Sequence, residues 1–168
     1  MAAFFRVLAL IACWGSALAA DGQKVTVYIF LMHDCPVANA TAPELARLAT
    51  EFEPKGVRFF GVYAEESAAE IATHRKDYAL PFPGLRDGKG ELAKRAGATR
   101  VPEAAVFSPS GELLYRGRID DRAVKPGVTR AVPLRHDLRL ALEAVLAGGK
   151  PERKFTEAVG CYLPSLAK

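Results

Sequence analysis

The chain has 168 residues, the size of a single domain. Half of the residues are hydrophobic and a quarter are charged, which is typical of a folded globular protein and excludes an intrinsically disordered one. The net charge of +4 is small, and no basic helix with interleaved aromatic residues is present, so we expect no nucleic-acid partner. Three cysteines are too few for a disulfide-built scaffold or a four-cysteine zinc site, and an odd number leaves one thiol to explain.

The N-terminus has the layout of a secretory signal peptide. Arg6 precedes an apolar run, and Ala17 and Ala19 occupy the −3 and −1 positions of a cleavage site. We therefore predict a signal peptide over residues 1–19 and a periplasmic or secreted protein from which Cys13 has been removed. The alternative is a lipoprotein, because the Leu-Ile-Ala before that cysteine resembles a lipobox, and only lipidation at Cys13 would attach the protein to a membrane. Both alternatives place the protein in a compartment where disulfides persist.

The first half of the mature chain alternates between buried strands and helices. Runs of apolar and β-branched residues predict strands over 24–31 and 57–63, each buried on both faces. Amphipathic spacing predicts a helix over 39–53, which Pro43 is expected to kink. A capping box over 67–70 predicts the start of a second helix.

The second half ends in a hairpin and a helix. We predict a short strand within 81–87, a short helix over 90–96 and a hairpin of strands 103–107 and 112–119 around a Ser-Pro-Ser-Gly turn. A last helix is predicted to start at Pro133 and to end at a pair of glycines. Its apolar positions are Leu134, Leu138, Leu142 and Val145.

This order of elements predicts an α/β fold. Parallel βαβ units followed by a hairpin and a helix form a mixed sheet covered on both faces. We assign residues 20–149 to this domain and residues 150–168 to a C-terminal tail that carries Cys161.

Cys35 is the candidate nucleophile. It lies between a buried strand and the start of a helix, where the free N–H groups and the positive end of the helix dipole favour a reactive thiolate. Its neighbours His33, Asp34 and Asn39 are polar, which suits a loop more than a core. The alternative is a buried, inert cysteine.

These residues resemble the thioredoxin superfamily, in its redoxin or AhpC/TSA-like branch of exported bacterial proteins. The similarity rests on the strand over 24–31, the loop His-Asp-Cys-Pro-Val-Ala-Asn, Pro43 eight residues after Cys35, and the segment 99–120. It implies a thioredoxin-like three-layer α/β/α sandwich with a mixed central sheet. It also implies that Pro102 is a cis-proline that lies against the Cys35 sulfur and shapes a substrate groove.

The same resemblance implies thiol–disulfide oxidoreductase activity through Cys35. The expected substrate is an oxidised protein, a small thiol or a peroxide, no bound cofactor is expected, and a reducing partner protein is needed. Two departures stand out. Ala38 takes the place of the second cysteine of the family's Cys-x-x-Cys motif. Met32 takes the place of the Thr or Ser that precedes a peroxidatic cysteine, which argues against a thiol peroxidase and leaves it as an alternative.

Cys161 is the other cysteine of the mature chain. The resemblance suggests that a Gly-Cys motif in the tail pairs with the loop around Cys35, so Cys161 is a candidate resolving thiol. Two other interpretations stay open: a permanent structural disulfide between the two, or two unrelated thiols. A second class of function is copper binding or delivery, with Cu(I) held by Cys35, Cys161 and His33.

His74 and His136 are expected at the surface. Arg118 and Arg122 lie in a run of mixed charge at a strand end, where they either form solvated ion pairs or lie near Cys35 and favour its thiolate.

Overall fold

The computed structural model describes residues 24–164, so the predicted signal peptide and Cys13 lie outside the described residues. The strands are β1 (Val25–Leu31), β2 (Val57–Tyr63), β3 (Gly84–Arg86), β4 (Arg100–Val101), β5 (Glu103–Phe107), β6 (Leu113–Gly117), β7 (Ala123–Lys125), β8 (Val128–Thr129) and β9 (Cys161–Tyr162). The helices are α1 (Pro36–Phe52), α2 (Ala68–Asp77), α3 (Glu91–Ala96) and α4 (Asp137–Leu146). Within this part of the chain, no helix is both long and apolar enough to cross a membrane.

A five-stranded sheet in the order β3-β2-β1-β5-β6 forms the centre of the fold. The strands β1, β2 and β3 are parallel to one another, β5 runs antiparallel to β1, and β6 runs antiparallel to β5. The central strand β1 is almost wholly apolar because helices cover both of its faces. The predicted mixed sheet of an α/β protein is thereby confirmed.

Contacts between side chains assign the helices to the two faces. On one face, α4 lies beside α1, where Arg139 Nη1 donates to Glu51 Oε2 at 2.6 Å. Elsewhere on the sheet, the Arg95 guanidinium of α3 lies 4.9 Å above the Phe107 ring. That ring packs against Tyr28 of β1. The sheet is therefore the middle of three layers.

Helix α1 starts earlier than the amphipathic pattern predicts. It starts at Pro36 instead of residue 39, because proline fits the first turn of a helix, where its missing N–H needs no partner. The helix continues through Pro43 to Phe52. This earlier start places Cys35 at the N-cap, directly on the positive end of the helix.

Helix α4 starts later than predicted, at Asp137 instead of Pro133. The Asp121 carboxylate accepts hydrogen bonds from the backbone N–H groups of Leu134 and Arg135 at 2.7 and 2.9 Å, and so holds these residues in a loop. Leu134 is consequently 78 % exposed and does not belong to the apolar face of the helix.

Two small antiparallel sheets were not predicted. Strands β7 and β8 form a short hairpin between β6 and α4. Strands β4 and β9 bring the tail back to the segment that precedes Pro102. The sequence places neither pair, because strands of two or three residues are too short to show an alternating pattern.

Candidate active site

Cys35 is completely buried in the reduced protein, with 0 % of its surface exposed. Its Sγ lies 3.4 Å from the carbonyl oxygen of Val101, to which the thiol donates. The peptide bond between Val101 and Pro102 is cis, as the sequence comparison implied. Cys35 does lie in the connection between β1 and α1, as expected. Its side chain is nevertheless buried, which the polar neighbours in the sequence did not indicate.

A chain of polar side chains that runs from the surface into the interior holds the loop before Cys35. Asn39 Nδ2 donates to the carbonyl oxygen of His33 at 3.0 Å, so its Oδ1 accepts from His74 Nε2 at 2.9 Å. With Nε2 as donor, His74 Nδ1 accepts from the Tyr63 hydroxyl at 2.8 Å. In this arrangement all three bonds point the same way and His74 is neutral. Burial accordingly lowers the pKa of His74.

His74 is therefore a buried structural residue and not the surface residue that was expected. It is 4 % exposed and belongs to a helix whose apolar periodicity is weak, so the sequence gives little sign of its orientation. Its ring also packs edge-on against the Tyr63 ring. A histidine held on both ring nitrogens fixes the distance between α2 and the loop that carries Cys35.

Glu66 supports the same loop from the other side. Its Oε1 accepts from the backbone N–H of His33 at 3.0 Å and lies 3.4 Å from the Nδ1 of that histidine. Glu66 is buried, whereas the His33 ring is about half exposed. The loop is thus held at both the N–H and the carbonyl of one residue, two positions before Cys35.

The inner part of the tail, the segment around Thr156, pairs with β6 at the edge of the main sheet. Arg116 N donates to the Lys154 carbonyl at 2.9 Å, and Thr156 N donates to the Arg116 carbonyl at 3.0 Å. The Thr156 hydroxyl also lies 2.7 Å from the Tyr115 hydroxyl and accepts from Arg118 N at 3.1 Å. The segment around Thr156 is therefore firmly fixed to β6.

The outer part of the tail carries Cys161 to Cys35. In the β4–β9 pair, Cys161 lies opposite Val101, the residue whose carbonyl accepts from the Cys35 thiol. Cys35 is close enough to Cys161 to act on its pKa, and within residues 24–164 both thiols are free. The structure therefore brings together Cys35, Cys161 and Pro102, the three residues that the sequence proposed as catalytic.

Gly160 is what allows this close approach. A Cβ atom at this position would overlap the Val101 carbonyl oxygen and lie 3.2 Å from Pro102 Cδ. The Gly-Cys pair of the tail thus has a steric reason: any side chain before Cys161 would push the tail away from β4.

Cys161 is strongly biased towards its protonated form. Burial is the main cause, and the hydrogen bond and charge of Cys35 add to it, so that the pKa of Cys161 rises to about 11. A thiol with this pKa is protonated at neutral pH. Cys161 is therefore not the attacking thiolate of the closed, reduced protein.

A groove of about 430 Å³ opens beside the cysteine pair. Pro36 and Val37 line it from α1, Pro102 and Ile119 from the sheet end, and Val159 from the tail. The groove is largely apolar where it meets Pro102, and the β7–β8 hairpin forms its outer wall.

The two arginines of the mixed-charge run also line the groove. Arg118 Nε donates to Asp137 Oδ2 at 2.6 Å and is therefore held towards α4, whereas Arg122 is exposed. For Arg118 this is the internal ion pairing that the sequence allowed.

A copper site receives no support from the geometry. The His33 ring is turned towards Glu66, and within residues 24–164 no three His, Cys, Asp or Glu side chains are grouped so that they could hold a metal ion. His33 does not complete a ligand set with Cys35 and Cys161.

The fold and the buried cysteine beside a cis-proline define a redoxin of the thioredoxin superfamily. The model of the AhpC/TSA family matches residues 15–116, more than half of the chain, and the chain belongs to this family. No curated protein matches it.

Solved structures share the fold. An uncharacterized conserved protein from Geobacillus kaustophilus is 28 % identical with a TM-score of 0.72, over 84 % of this chain and 77 % of its own. A hypothetical protein from Sinorhizobium meliloti 1021 is 25 % identical with a TM-score of 0.75, over 88 % and 82 %. The thioredoxin domain of a thiol-disulfide oxidoreductase from Bacteroides vulgatus, 14 % identical with a TM-score of 0.50 over 56 % and 70 %, shows similarity of fold alone.

Proposed function

We propose that this chain is an exported thiol–disulfide oxidoreductase in which Cys35 attacks an oxidised substrate and Cys161 resolves the product. The observation that carries this proposal is the position of Cys161, which the tail places opposite Val101, the residue whose carbonyl oxygen lies 3.4 Å from the Cys35 sulfur. A protein whose Cys-x-x-Cys motif lacks its second cysteine thereby regains a dithiol. Export is inferred from residues 1–19 of the sequence.

The first step forms a mixed disulfide. The Cys35 thiolate, at the positive end of α1, attacks one sulfur of a substrate disulfide. A bond forms between Cys35 and that sulfur, and the other substrate sulfur leaves as a thiolate that takes a proton from water.

The second step closes the internal disulfide. Once Cys35 is bonded to substrate, it carries no negative charge and no longer accepts a hydrogen bond from Cys161 as a thiolate, so two of the causes that raise the pKa of Cys161 disappear. Cys161 then loses its proton to solvent and attacks the Cys35 sulfur, which releases the substrate thiolate. The substrate is reduced by two electrons and the cysteine pair is oxidised, and an external dithiol protein returns the pair to its reduced form.

Trapping the intermediate tests the proposal. The probe is a cysteine peptide joined by a disulfide to 2-nitro-5-thiobenzoate, whose release is coloured. We expect the wild-type protein to release both parts and to end with a disulfide between Cys35 and Cys161. Cys161→Ser should stop as a covalent adduct of the peptide at Cys35, and Cys35→Ser should release no colour above background.

Three results would overturn the proposal. The first is a Cys161→Ser protein that releases the peptide as fast as the wild type. The second is a disulfide between Cys35 and Cys161 with a potential below about −300 mV, which would be structural. The third is hydrogen peroxide consumption that outpaces disulfide reduction, which would make the protein a thiol peroxidase.

A further inference from the structure

Strand β9 closes the site in the reduced protein. It pairs with β4 over Arg100 and Val101, beside the fully buried Cys35. We propose that β9 occupies the edge at which an extended segment of a protein substrate binds, and that this segment displaces the tail. The inference rests on the proposed function and names its substrate class, which is an unfolded or extended polypeptide with an oxidised cysteine.

The tail itself shows how an extended chain fits this edge. Cys161 lies opposite Val101, and the carbonyl oxygen of Val101 lies 3.4 Å from the Cys35 Sγ, so the tail carries its own cysteine beside the nucleophile. A substrate strand in the same antiparallel register would place its own cysteine sulfur where the Cys161 sulfur lies. Substrate and tail therefore compete for one edge, and the tail must leave first.

The tail is built so that its outer part can leave while its inner part stays. Thr156 is held by backbone and hydroxyl hydrogen bonds to β6. Beyond it, the strand pair with β4 has only two residues, and Leu163 N donates to the Thr99 carbonyl at 3.1 Å. The hinge thus lies after Thr156, and residues 157–164 form the displaceable segment, which we call the tail strand.

The sequence of the tail strand indicates which substrates fit. The position before the cysteine has no room for a side chain, since a Cβ at Gly160 would overlap the Val101 carbonyl oxygen. The position after it carries the aromatic ring of Tyr162. The centre of this ring lies 3.6 Å from the Arg100 guanidinium carbon, and the residue is 72 % exposed. The preferred substrate segment therefore has glycine before its oxidised cysteine and an aromatic residue after it.

The first experiment measures the accessibility of Cys35 and does not depend on its activity. Full-length Cys161→Ser protein receives short pulses of iodoacetamide, and mass spectrometry reads the alkylation of Cys35. Adding Leu163→Ala, which removes a side chain that is 4 % exposed, should raise the alkylation rate at least about tenfold. Tyr162→Ala should raise it less, and because this side chain is exposed the variant keeps its fold.

Leu80→Ala in the same Cys161→Ser background is the matched control. Leu80 is also 4 % exposed, but it lies after α2, away from the tail. It controls for a general loss of stability, and we expect no increase in alkylation. Equal rates for the Leu163 and Leu80 variants, together with no effect of Tyr162→Ala, would overturn the inference.

The second experiment measures substrate preference. The peptide Val-Gly-Cys-Tyr-Leu, joined to 2-nitro-5-thiobenzoate, should react with Cys161→Ser roughly two to five times faster than the same peptide with alanine for tyrosine. Arg100→Ala should abolish that difference. A peptide with valine for glycine should be the slowest of the three.

The two proposals fail in different ways. If all three peptides react at one rate while the wild-type protein still forms its internal disulfide, the substrate edge is wrong and the oxidoreductase stands. If the tail strand controls alkylation but no peptide disulfide is reduced, the proposed function is wrong and the closing role of the tail stands.

Discussion

The two cysteines are held in opposite ways. The loop before Cys35 is fixed from the interior by a chain of hydrogen bonds through Asn39, His74 and Tyr63. The strand that carries Cys161 is held from the outside by a two-residue pairing and an exposed ring on an arginine. One thiol is therefore placed by an interior network, whereas the other sits on a short segment whose main buried anchor is the Leu163 side chain.

This difference matches what the two thiols are proposed to do. A nucleophile reacts fastest when its geometry is fixed in advance, whereas a resolving thiol must yield its place to substrate and then return. In a Cys-x-x-Cys motif both thiols share one helix end, and neither can move far. Moving the second thiol to the tail separates the two tasks.

The largest effect should come from Gly160→Ala. The added methyl group would overlap the Val101 carbonyl oxygen, so the tail strand must shift and Cys161 no longer lies at Cys35. Internal disulfide formation from the mixed disulfide should slow by about a hundredfold, because an oriented contact becomes an encounter between tethered groups. Stopped-flow detection of the released peptide thiol measures this rate.

Gly88→Ala is the control for this change. A Cβ at Gly88 would make only ordinary contacts, the nearest being 3.8 Å from the Ala64 carbonyl oxygen. We expect the wild-type rate. A Gly160→Ala protein that resolves its mixed disulfide at the wild-type rate would show that the close approach to β4 is not needed.

The next largest effect concerns the loop that carries Cys35. His74→Phe keeps the ring but leaves the Tyr63 hydroxyl and the Asn39 amide without their buried partner. The free energy of unfolding, measured with urea, should fall by about 2 kcal/mol. Alkylation of Cys35 in Cys161→Ser should become faster as the loop loosens.

His136→Phe makes the same substitution at a half-exposed histidine outside this chain of hydrogen bonds. It should change the unfolding free energy by less than about 0.5 kcal/mol. If both variants lose the same stability, the hydrogen bonds through His74 do not specially hold the loop that carries Cys35, and the two cysteines do not differ in this way.

Much of the fold could be predicted from the sequence because its strands are strongly marked. The apolar runs that became β1 and β2 identify a sheet buried on both faces, and the turn before β6 identifies the hairpin. The start of α4 could not be predicted, because Leu134 continues the apolar spacing and only the distant Asp121 carboxylate keeps it out of the helix.

The site was predictable at Cys35 and Pro102, where the local motif carries the information. The position of Cys161 could only be suggested, because it depends on Thr156 binding to β6 and on a two-residue strand pair. The buried role of His74 was missed since its partners, Tyr63 and Asn39, lie on other elements. For Cys161 the sequence did contain one indication of a close approach of the tail, which is the glycine directly before this cysteine.

A smaller effect on the free energy of unfolding is expected when the pH is lowered. Burial lowers the pKa of His74, so the folded protein binds its proton less readily than the unfolded chain does. Stability from this group is complete above about pH 6.5 and is lost as the pH falls below that value. Between pH 7 and 5.5 the unfolding free energy should therefore fall, because the unfolded chain takes up this proton first.

His74→Phe should remove this part of the pH dependence. The charged or titratable groups that act on His74 are Glu66, Asp77 and His33. Because all three remain in the variant, an unchanged slope between pH 7 and 5.5 in urea denaturation would assign the pH dependence to them instead.

The smallest effect is a change in the pKa of Cys161, and it distinguishes the causes that raise this pKa. Its pKa of about 11 comes first from burial and then from Cys35, so Cys35→Ala should lower the pKa of Cys161 towards 9 without reaching it. Asp34→Asn should lower it least, since the Asp34 charge is the last of the causes. Thiolate absorbance at 240 nm against pH measures both, with Cys13→Ser in every protein.

The sign of the stability effect follows from the same shift. A thiol whose pKa is raised in the folded state stabilises the protein fully below pH 9, and this stability is lost as the pH rises towards 11. Reduced wild-type protein should therefore lose stability over that range, and Cys35→Ala should lose less. If the titration of Cys161 is the same with and without Cys35, the two thiols do not touch in solution, and the tail strand does not hold Cys161 at the nucleophile.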